Sequence, residues 1–258
     1  MTAQPLPLVQ LDLDPAVDAQ RFRVGAVDQR VVLAEAGGGE PVRLSPPMPP
    51  DRDVYVGDAC QGQTQRSQPA PFLISPDSRR VVYCADQDAD EILELYSAPL
   101  GGDAPPVKLN LPPGTGGGVR RFAISPDSAS VVFESLTLET GVPQERLYAA
   151  PIQGGSLPVL LSGPPRPNAV IAAFVISPDS ATVVFTGDRE GAGQIVLSSV
   201  AIAGGEPPVV RSGDLVRGGN VAEFRLSADG ARVVYRADQR SDEVQELFVA
   251  PLRGPGLP

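Results

Sequence analysis

A chain of 258 residues that is 42% apolar and 20% charged can bury one large or two small cores, and this is not the composition of a disordered protein. Its 27 glycines and 29 prolines demand many turns and exclude an architecture of long helices. Histidine and tryptophan are absent, which removes Ser-His-Asp and Cys-His relays, histidine-ligated zinc and haem, and the imidazole pH switch. A net charge of −10 would be repelled by phosphate backbones and anionic lipid, so neither nucleic acid nor a membrane is expected as a partner.

In chain order, residues 1–14 lack the basic start and apolar run of a signal peptide, and no run of about 18 apolar residues follows anywhere. A soluble chain is expected; its compartment stays open, and a piece of an exported protein fits equally. The first predicted strand is residues 6–13. A phrase then starts at Phe22 as FRVGAVDQRVVL and returns as FLISPDSRRVVY from Phe72, FAISPDSASVVF from Phe122, FVISPDSATVVF from Phe174 and FRLSADGARVVY from Phe224. The five phenylalanines stand 50, 50, 52 and 50 residues apart, a register that marks an internal repeat.

Each phrase reads as strand, tight turn and strand. Phe-x-Ile alternates with period two, Pro suits the turn's fixed φ, and Asp can accept from nearby backbone amides. A third strand then runs into a Gly-Gly pair at residues 94–100, 146–152 and 195–202, and a short fourth follows at 106–111, 158–162 and 207–211. Such a sheet, apolar on both faces, must pack against its neighbours around an axis. The expectation is an all-β, five-bladed β-propeller of four-stranded antiparallel blades, one domain over residues 1–258. The last copy stops after its third strand, and residues 6–13 precede Phe22 as 107–111 precede Phe122. The N-terminal strand is therefore expected to complete the last blade and remove the free edges. In the first blade the third and fourth strands are placed near residues 41–44 and 53–56, and residues 57–71 are read as a long polar loop without a strand.

The phrase Phe-x-Ile-Ser-Pro-Asp-Ser-x-x-Val-Val-Tyr/Phe, followed by Leu-Tyr-x-Ala-Pro-Leu/Ile-x-Gly-Gly, resembles the TolB-like propeller repeat over nearly the whole chain. Trp-Asp repeat propellers fit less well, since their Trp and Gly-His pair are missing. The resemblance implies the fold. Similar repeats occur in the periplasmic TolB component and in propellers attached to prolyl oligopeptidase-type hydrolases, so it does not by itself fix a function. Blades in that family are commonly shorter, with six or more usual.

The second-to-third-strand loops and the inter-blade loops share one face of a propeller, the default place for a site. The five second-to-third loops together carry −10, the whole net charge. The inter-blade loops each carry arginine: Arg21, Arg66, Arg120 with Arg121, Arg166 and Arg217. These are the candidate ligand-binding residues for an anionic group, set against pairing with neighbouring loop carboxylates. Asp86, Asp88 and Asp90 have the alternate-oxygen spacing of a calcium loop but lack its Gly and distal Glu, so an ordinary polar hairpin loop is expected and calcium is the one cation it would suit. Cys60 and Cys84 have no metal-ligand spacing and are expected as free thiols; a bridge would need Cα atoms within about 7 Å. Glycosidase chemistry needs two carboxylates at the channel, and only Glu223 lies beside an inner strand. Ser75, Ser125 and Ser177 are expected as turn residues, and Tyr83, Tyr148 and Tyr235 as core. No cofactor and no catalysis are expected. The function read from the residues is a monomeric scaffold binding a protein, peptide or small anionic ligand, with a recognition domain of an exported enzyme or receptor as the alternative and a glycoside hydrolase as the third.

Overall fold

The computed structural model describes residues 22–27, 30–35, 42–49, 51–54, 60–63, 72–90, 92–111, 118–139, 142–164, 167–188 and 193–253, with 22–27 and 30–35 as backbone. The repeated turn shows how the fold is built. Ser75 Oγ donates to Asp77 Oδ1 at 2.6 Å and accepts from the Arg80 N–H at 2.9 Å, while the Ser78 N–H donates to the Ser75 carbonyl at 2.8 Å. The hydroxyl thus closes the hairpin between β5 (Phe72–Ile74) and β6 (Arg80–Ala85). Ser125, Ser177 and Ser227 repeat the bond to Asp127, Asp179 and Asp229, each at 2.5 Å. The turn role expected of these serines is the one observed.

Three sheets follow the predicted meander of two hairpins and a short outer strand. One joins β5, β6, β7 (Glu94–Pro99) and β8 (Val107–Lys108); the next joins β9 (Gly118–Ile124), β10 (Ser130–Glu139), β11 (Val142–Pro151) and β12 (Val159–Leu160). A third joins β13 (Val170–Ile176), β14 (Thr182–Asp188), β15 (Val196–Ala201) and β16 (Val209–Val210). The C-terminal sheet has three strands, β17 (Val221–Leu226), β18 (Arg232–Ala237) and β19 (Glu246–Pro251), and so does the N-terminal one, β1 (Phe22–Val27), β2 (Arg30–Glu35) and β3 (Val42–Arg43). The repeat phenylalanines hold one register: Phe72 opposite Tyr83, Phe122 opposite Phe133, Phe174 opposite Phe185 and Phe224 opposite Tyr235.

The Val-Val pair has a direct cause. Adjacent strand residues point to opposite faces, and in the β5–β8 sheet Val81 and Val82 are both fully buried. Val81, Tyr83, Tyr96 and Ala98 pack toward Leu44 and Val54, whereas Val82, Cys84 and Leu95 pack on Phe122, Val131, Phe133 and Tyr148 of the next sheet. The arrangement repeats from Val132 and Leu147 to Phe174, Val183 and Phe185, and from Val184 and Leu197 to Phe224, Val233 and Tyr235. Tyr83, Tyr148 and Tyr235 are buried, as the sequence suggested.

The Gly-Gly turns mark the same junctions. Gly102, Gly154 and Gly204 have φ of 66°, 71° and 69°, and a Cβ on each would press on Val42, Val107 and Val159 of the preceding sheet. Val42 therefore holds against its neighbour the place that Val107 and Val159 hold as first residues of outermost strands.

Three expectations need correction. Of the fourth strand expected near 53–56, the described residues 53–54 do not join the first sheet; Val54 instead bridges to Ala85 of the next sheet, beside the Asp53 N–H that donates to Asp86 Oδ1 at 2.7 Å. The stretch read as a strandless loop holds β4 (Gln61–Gly62), which pairs in parallel with β9 and is fixed by the Gln63 N–H to the Phe122 carbonyl at 2.6 Å. Cys60 and Cys84 are not free thiols: they form a disulfide with Cα atoms 6.2 Å apart, which ties β4 to β6. The strand predicted at residues 6–13 lies outside the described residues.

Candidate functional site

From the β5–β8 sheet onward, the loop ends of adjacent sheets meet through backbone bonds at three successive junctions. The Val119 N–H donates to the Leu93 carbonyl at 2.8 Å, the Glu145 N–H to Ala169 at 3.1 Å and the Val221 N–H to Ile195 at 2.9 Å. These bonds bring second-to-third loops and inter-sheet loops onto one face. The register shifts in β9–β10, β13–β14 and β17–β18 lie at this same end, skipping Arg120, Ala172 and Ala222 on the innermost strands. A bulge leaves ladder carbonyls without strand partners.

At the junction of β9–β12 with β13–β16 an arginine takes those carbonyls. Arg121 donates Nη1–H to the Ala172 carbonyl at 2.7 Å and Nη2–H to Ile171 at 2.5 Å, and its Nε–H goes to Glu134 Oε2 at 2.6 Å. Glu134 stands opposite Arg121 on β10 and is only 1% exposed, so its charge is neutralised by the same guanidinium. Burial pushes its carboxyl up to about 7, with Arg121 opposing the rise. Beside it, Arg120 Nη1 donates to Glu145 Oε1 at 2.8 Å, and Glu145 Oε2 accepts the Ile171 N–H at 2.8 Å. Two arginines and two glutamates thus join these two sheets.

A second buried carboxylate lies in the β5–β8 sheet. Glu94 accepts from Tyr96 Oη at 2.9 Å and from Lys108 Nζ at 2.7 Å, and Lys108 also pairs with Asp88. Burial, then the Glu94 hydrogen bond, raise the Tyr96 hydroxyl well above its usual range. In the C-terminal sheet Asp238 accepts the Asn220 N–H at 2.5 Å and the Glu243 N–H at 3.3 Å, closing the loop between β18 and β19.

Of the six candidate arginines, Arg120 and Arg121 are the two brought together, and both are held by the chain's own carboxylates. Arg217 is exposed and has no ion pair among the described residues. Arg21, Arg66 and Arg166 lie outside the described residues. Asp86, Asp88 and Asp90 do not converge: Asp86 caps Asp53, Asp88 pairs with Lys108, and among the described residues no group of three carboxylates is placed to hold a metal ion. Glu223 pairs with Arg236 at 3.0 Å. Sequence reasoning missed Glu134, Glu145 and Glu94. The signal was present as Glu134 directly after Val131-Val132-Phe133, a charge breaking an apolar strand.

Sheets of antiparallel strands packed face to face, hairpin turns at one end and bonded loops at the other, define a β-propeller. A family model described as the lipoprotein LpqB beta-propeller domain matches residues 100–245, more than half of the chain, and the chain belongs to that family. No curated protein matches the chain. Among solved structures it is similar to an oligogalacturonate lyase in complex with manganese, at 14% identity and a TM-score of 0.52, over 91% of this chain and 60% of that one. It is also similar to a puromycin hydrolase, at 18% and 0.53, over 91% and 37%. An oligogalacturonate lyase from Vibrio parahaemolyticus gives 14% and 0.52, over 91% and 60%. These likenesses show the fold, and the chain spans 37% to 60% of the length of the proteins concerned. Among the described residues no helix is long and apolar enough to cross a membrane.

Proposed function

We propose that this propeller is a non-catalytic recognition scaffold of an exported protein, a five-bladed ring that offers its loop face to a protein, peptide or small anionic ligand. The observation that carries the reading is the use made of Arg120, Arg121, Glu134 and Glu145. Their charges are spent on each other and on the backbone of the next blade, an arrangement that fixes blade to blade. Among the candidate arginines that lie in the described residues, Arg217, exposed on an inter-blade loop, is the one to meet an anionic ligand. The disulfide between Cys60 and Cys84 supports export, since such bonds persist in oxidising compartments, and so does a family described from a lipoprotein.

A second reading is the recognition domain of a larger exported enzyme, favoured by neighbours that are hydrolase and lyase chains much longer than this one. A thermal-shift panel of calcium, sugars, dicarboxylates and acidic peptides tests the first. A ligand that raises the melting temperature, with the rise lost in Arg217→Ala, supports it. Turnover of ester, peptide or glycoside substrates by the purified chain would overturn it, whichever ligands bind.

A further inference from the structure

From β5 onward, each sheet carries one row of side chains across its strands on the face turned toward the preceding repeat. The row runs Phe72, Tyr83, Tyr96 and Lys108 in the β5–β8 sheet, Phe122, Phe133, Tyr148 and Leu160 in the next, and Phe224, Tyr235 and Phe248 in the last. In these three the ring on the third strand stacks on the ring of the second, with interplanar angles of 25°, 21° and 22°. In the β13–β16 sheet the row runs Phe174, Phe185, Ser198 and Val210. One ring of the pattern is missing.

The wall that faces this row is built as at the previous junction. Val132, Leu147 and Leu161 lie against Phe185 as their counterparts Val82, Leu95 and Leu109 lie against Phe133 and Tyr148. Glu134, larger than its counterpart Cys84, is turned to Arg121. Val210, next in the row after Ser198, is 38% exposed, whereas at the same place in the β5–β8 sheet Lys108 lies over the Tyr96 ring, its Nζ 5.9 Å from the centroid. Ser198 is 0% exposed and its hydroxyl has no hydrogen-bond partner, while Ser199, on the other face, accepts the Arg211 Nε–H at 2.7 Å. A buried hydroxyl without a partner is an unmet demand for a donor or an acceptor, and here it stands beside an aromatic ring and a half-covered valine.

We propose that this place, between the β9–β12 and β13–β16 sheets, is a binding site for a small aromatic molecule with one hydrogen-bonding group, in its simplest form a phenol. The ligand ring stacks on Phe185 where the other sheets set a third-strand ring of their own, with Leu147 and Leu161 on its far side and Val210 at the rim. Its hydroxyl pairs with Ser198 Oγ. Apolar contact supplies most of the affinity and the single polar contact the orientation, the usual division in a small-ligand site. Toluene, of nearly the same shape, fills the place but leaves the serine unpaired, so phenol is preferred. The site lies in a seam between sheets and uses none of the loop-face residues, so it goes beyond the scaffold reading and does not rest on it.

Melting of the full chain with phenol and with toluene tests it. At about 5 mM, phenol should raise the melting temperature by about 2 °C or more, and toluene by less than half as much. Ser198→Ala should keep the toluene shift while its phenol shift falls to the toluene level. Ser198→Tyr, which builds the missing ring into the chain, should melt about 2 °C or more above the wild type and respond to neither compound. A wild type that phenol does not shift would overturn the proposal, and so would a phenol shift that Ser198→Ala leaves intact, since the compound would then sit elsewhere. A Ser198→Tyr protein that melts below the wild type would overturn it too, by showing the place already filled; should that variant fail to fold, Ser198→Ala decides alone. The ligand panel for the loop face depends on none of these readings, so the scaffold reading stands or falls separately.

Discussion

The Asp77 N–H donates to Ser128 Oγ at 3.0 Å, and one repeat later the Asp127 N–H donates to Ser180 Oγ at 3.0 Å. Each bond crosses from one blade's hairpin turn to the next. It explains why a serine, with φ of 62° and 60°, stands at Ser128 and Ser180, a conformation that glycine adopts more cheaply. The last turn has Gly230 there, and Asp179 is held instead by Arg253 at 2.6 Å.

Ser128→Ala keeps the strained φ and removes the acceptor, so it should cost about 1 kcal/mol. Ser128→Gly relieves the strain while losing the same bond, and should cost less. Urea unfolding of the two variants separates the hydroxyl from the backbone; equal costs would show that the positive φ carries no strain, and a Ser128→Ala variant as stable as wild type would show that the inter-blade bond contributes nothing.

Where β6–β7, β10–β11 and β18–β19 stack Tyr83 on Tyr96, Phe133 on Tyr148 and Tyr235 on Phe248, with centroids 5.8, 5.5 and 5.4 Å apart, the fourth blade sets Phe185 opposite Ser198. Ser198 Oγ is buried without a hydrogen-bond partner. Ser198→Ala should therefore leave the protein as stable or raise its stability by up to about 1 kcal/mol, since it removes an unsatisfied hydroxyl. A loss beyond about 1 kcal/mol in the same unfolding assay would contradict this.

Reducing the Cys60–Cys84 bond, which closes a span of 24 residues, should cost about 3 to 4 kcal/mol through the freed unfolded chain. Calorimetry of the wild type against Cys60→Ser/Cys84→Ser reads the change, and thiol labelling of the native protein should find no reactive cysteine. Unchanged melting would mean that the link to β4 carries no weight in the native state.

Glu134 sets a pH dependence with a definite sign. Its carboxyl titrates near 7 when folded, by burial first, and near the ordinary glutamate value of about 4.3 when unfolded. Between those values the folded state holds the extra proton, so stability should fall as pH rises from about 4.5 to 7, by roughly 2 to 3 kcal/mol. Glu134→Gln should flatten the slope over that window in urea unfolding at a series of pH values. A wild-type slope of the opposite sign would mean that Arg121 outweighs burial.

The repeat was legible because geometry imposed it residue by residue: Phe72, Phe122, Phe174 and Phe224 begin innermost strands, and the valine pairs serve two buried faces. What was not legible depended on distances across the fold. Cys60 and Cys84 carry no spacing signal, since their approach to 6.2 Å comes from β4 lying along β9. The arginines were visible as candidates, but their partners were not: Glu134 is 13 residues from Arg121 and Ala172 is 51. The first repeat was read from Phe22 because a phenylalanine and a Val-Val pair stand there at the right interval, whereas the contact of Val42 with Gly102 shows that the outermost-strand phrase sets its register.

The scaffold reading holds that charge on the loop face joins blades, and a double-mutant cycle on Arg121→Ala and Glu134→Gln by urea unfolding tests that most directly. Arg121→Ala should cost at least about 2 kcal/mol, with a coupling to Glu134 above about 1 kcal/mol. Stability within about 0.5 kcal/mol of wild type in Arg121→Ala, with no coupling, would contradict it and return the arginine to the set of residues kept for a ligand.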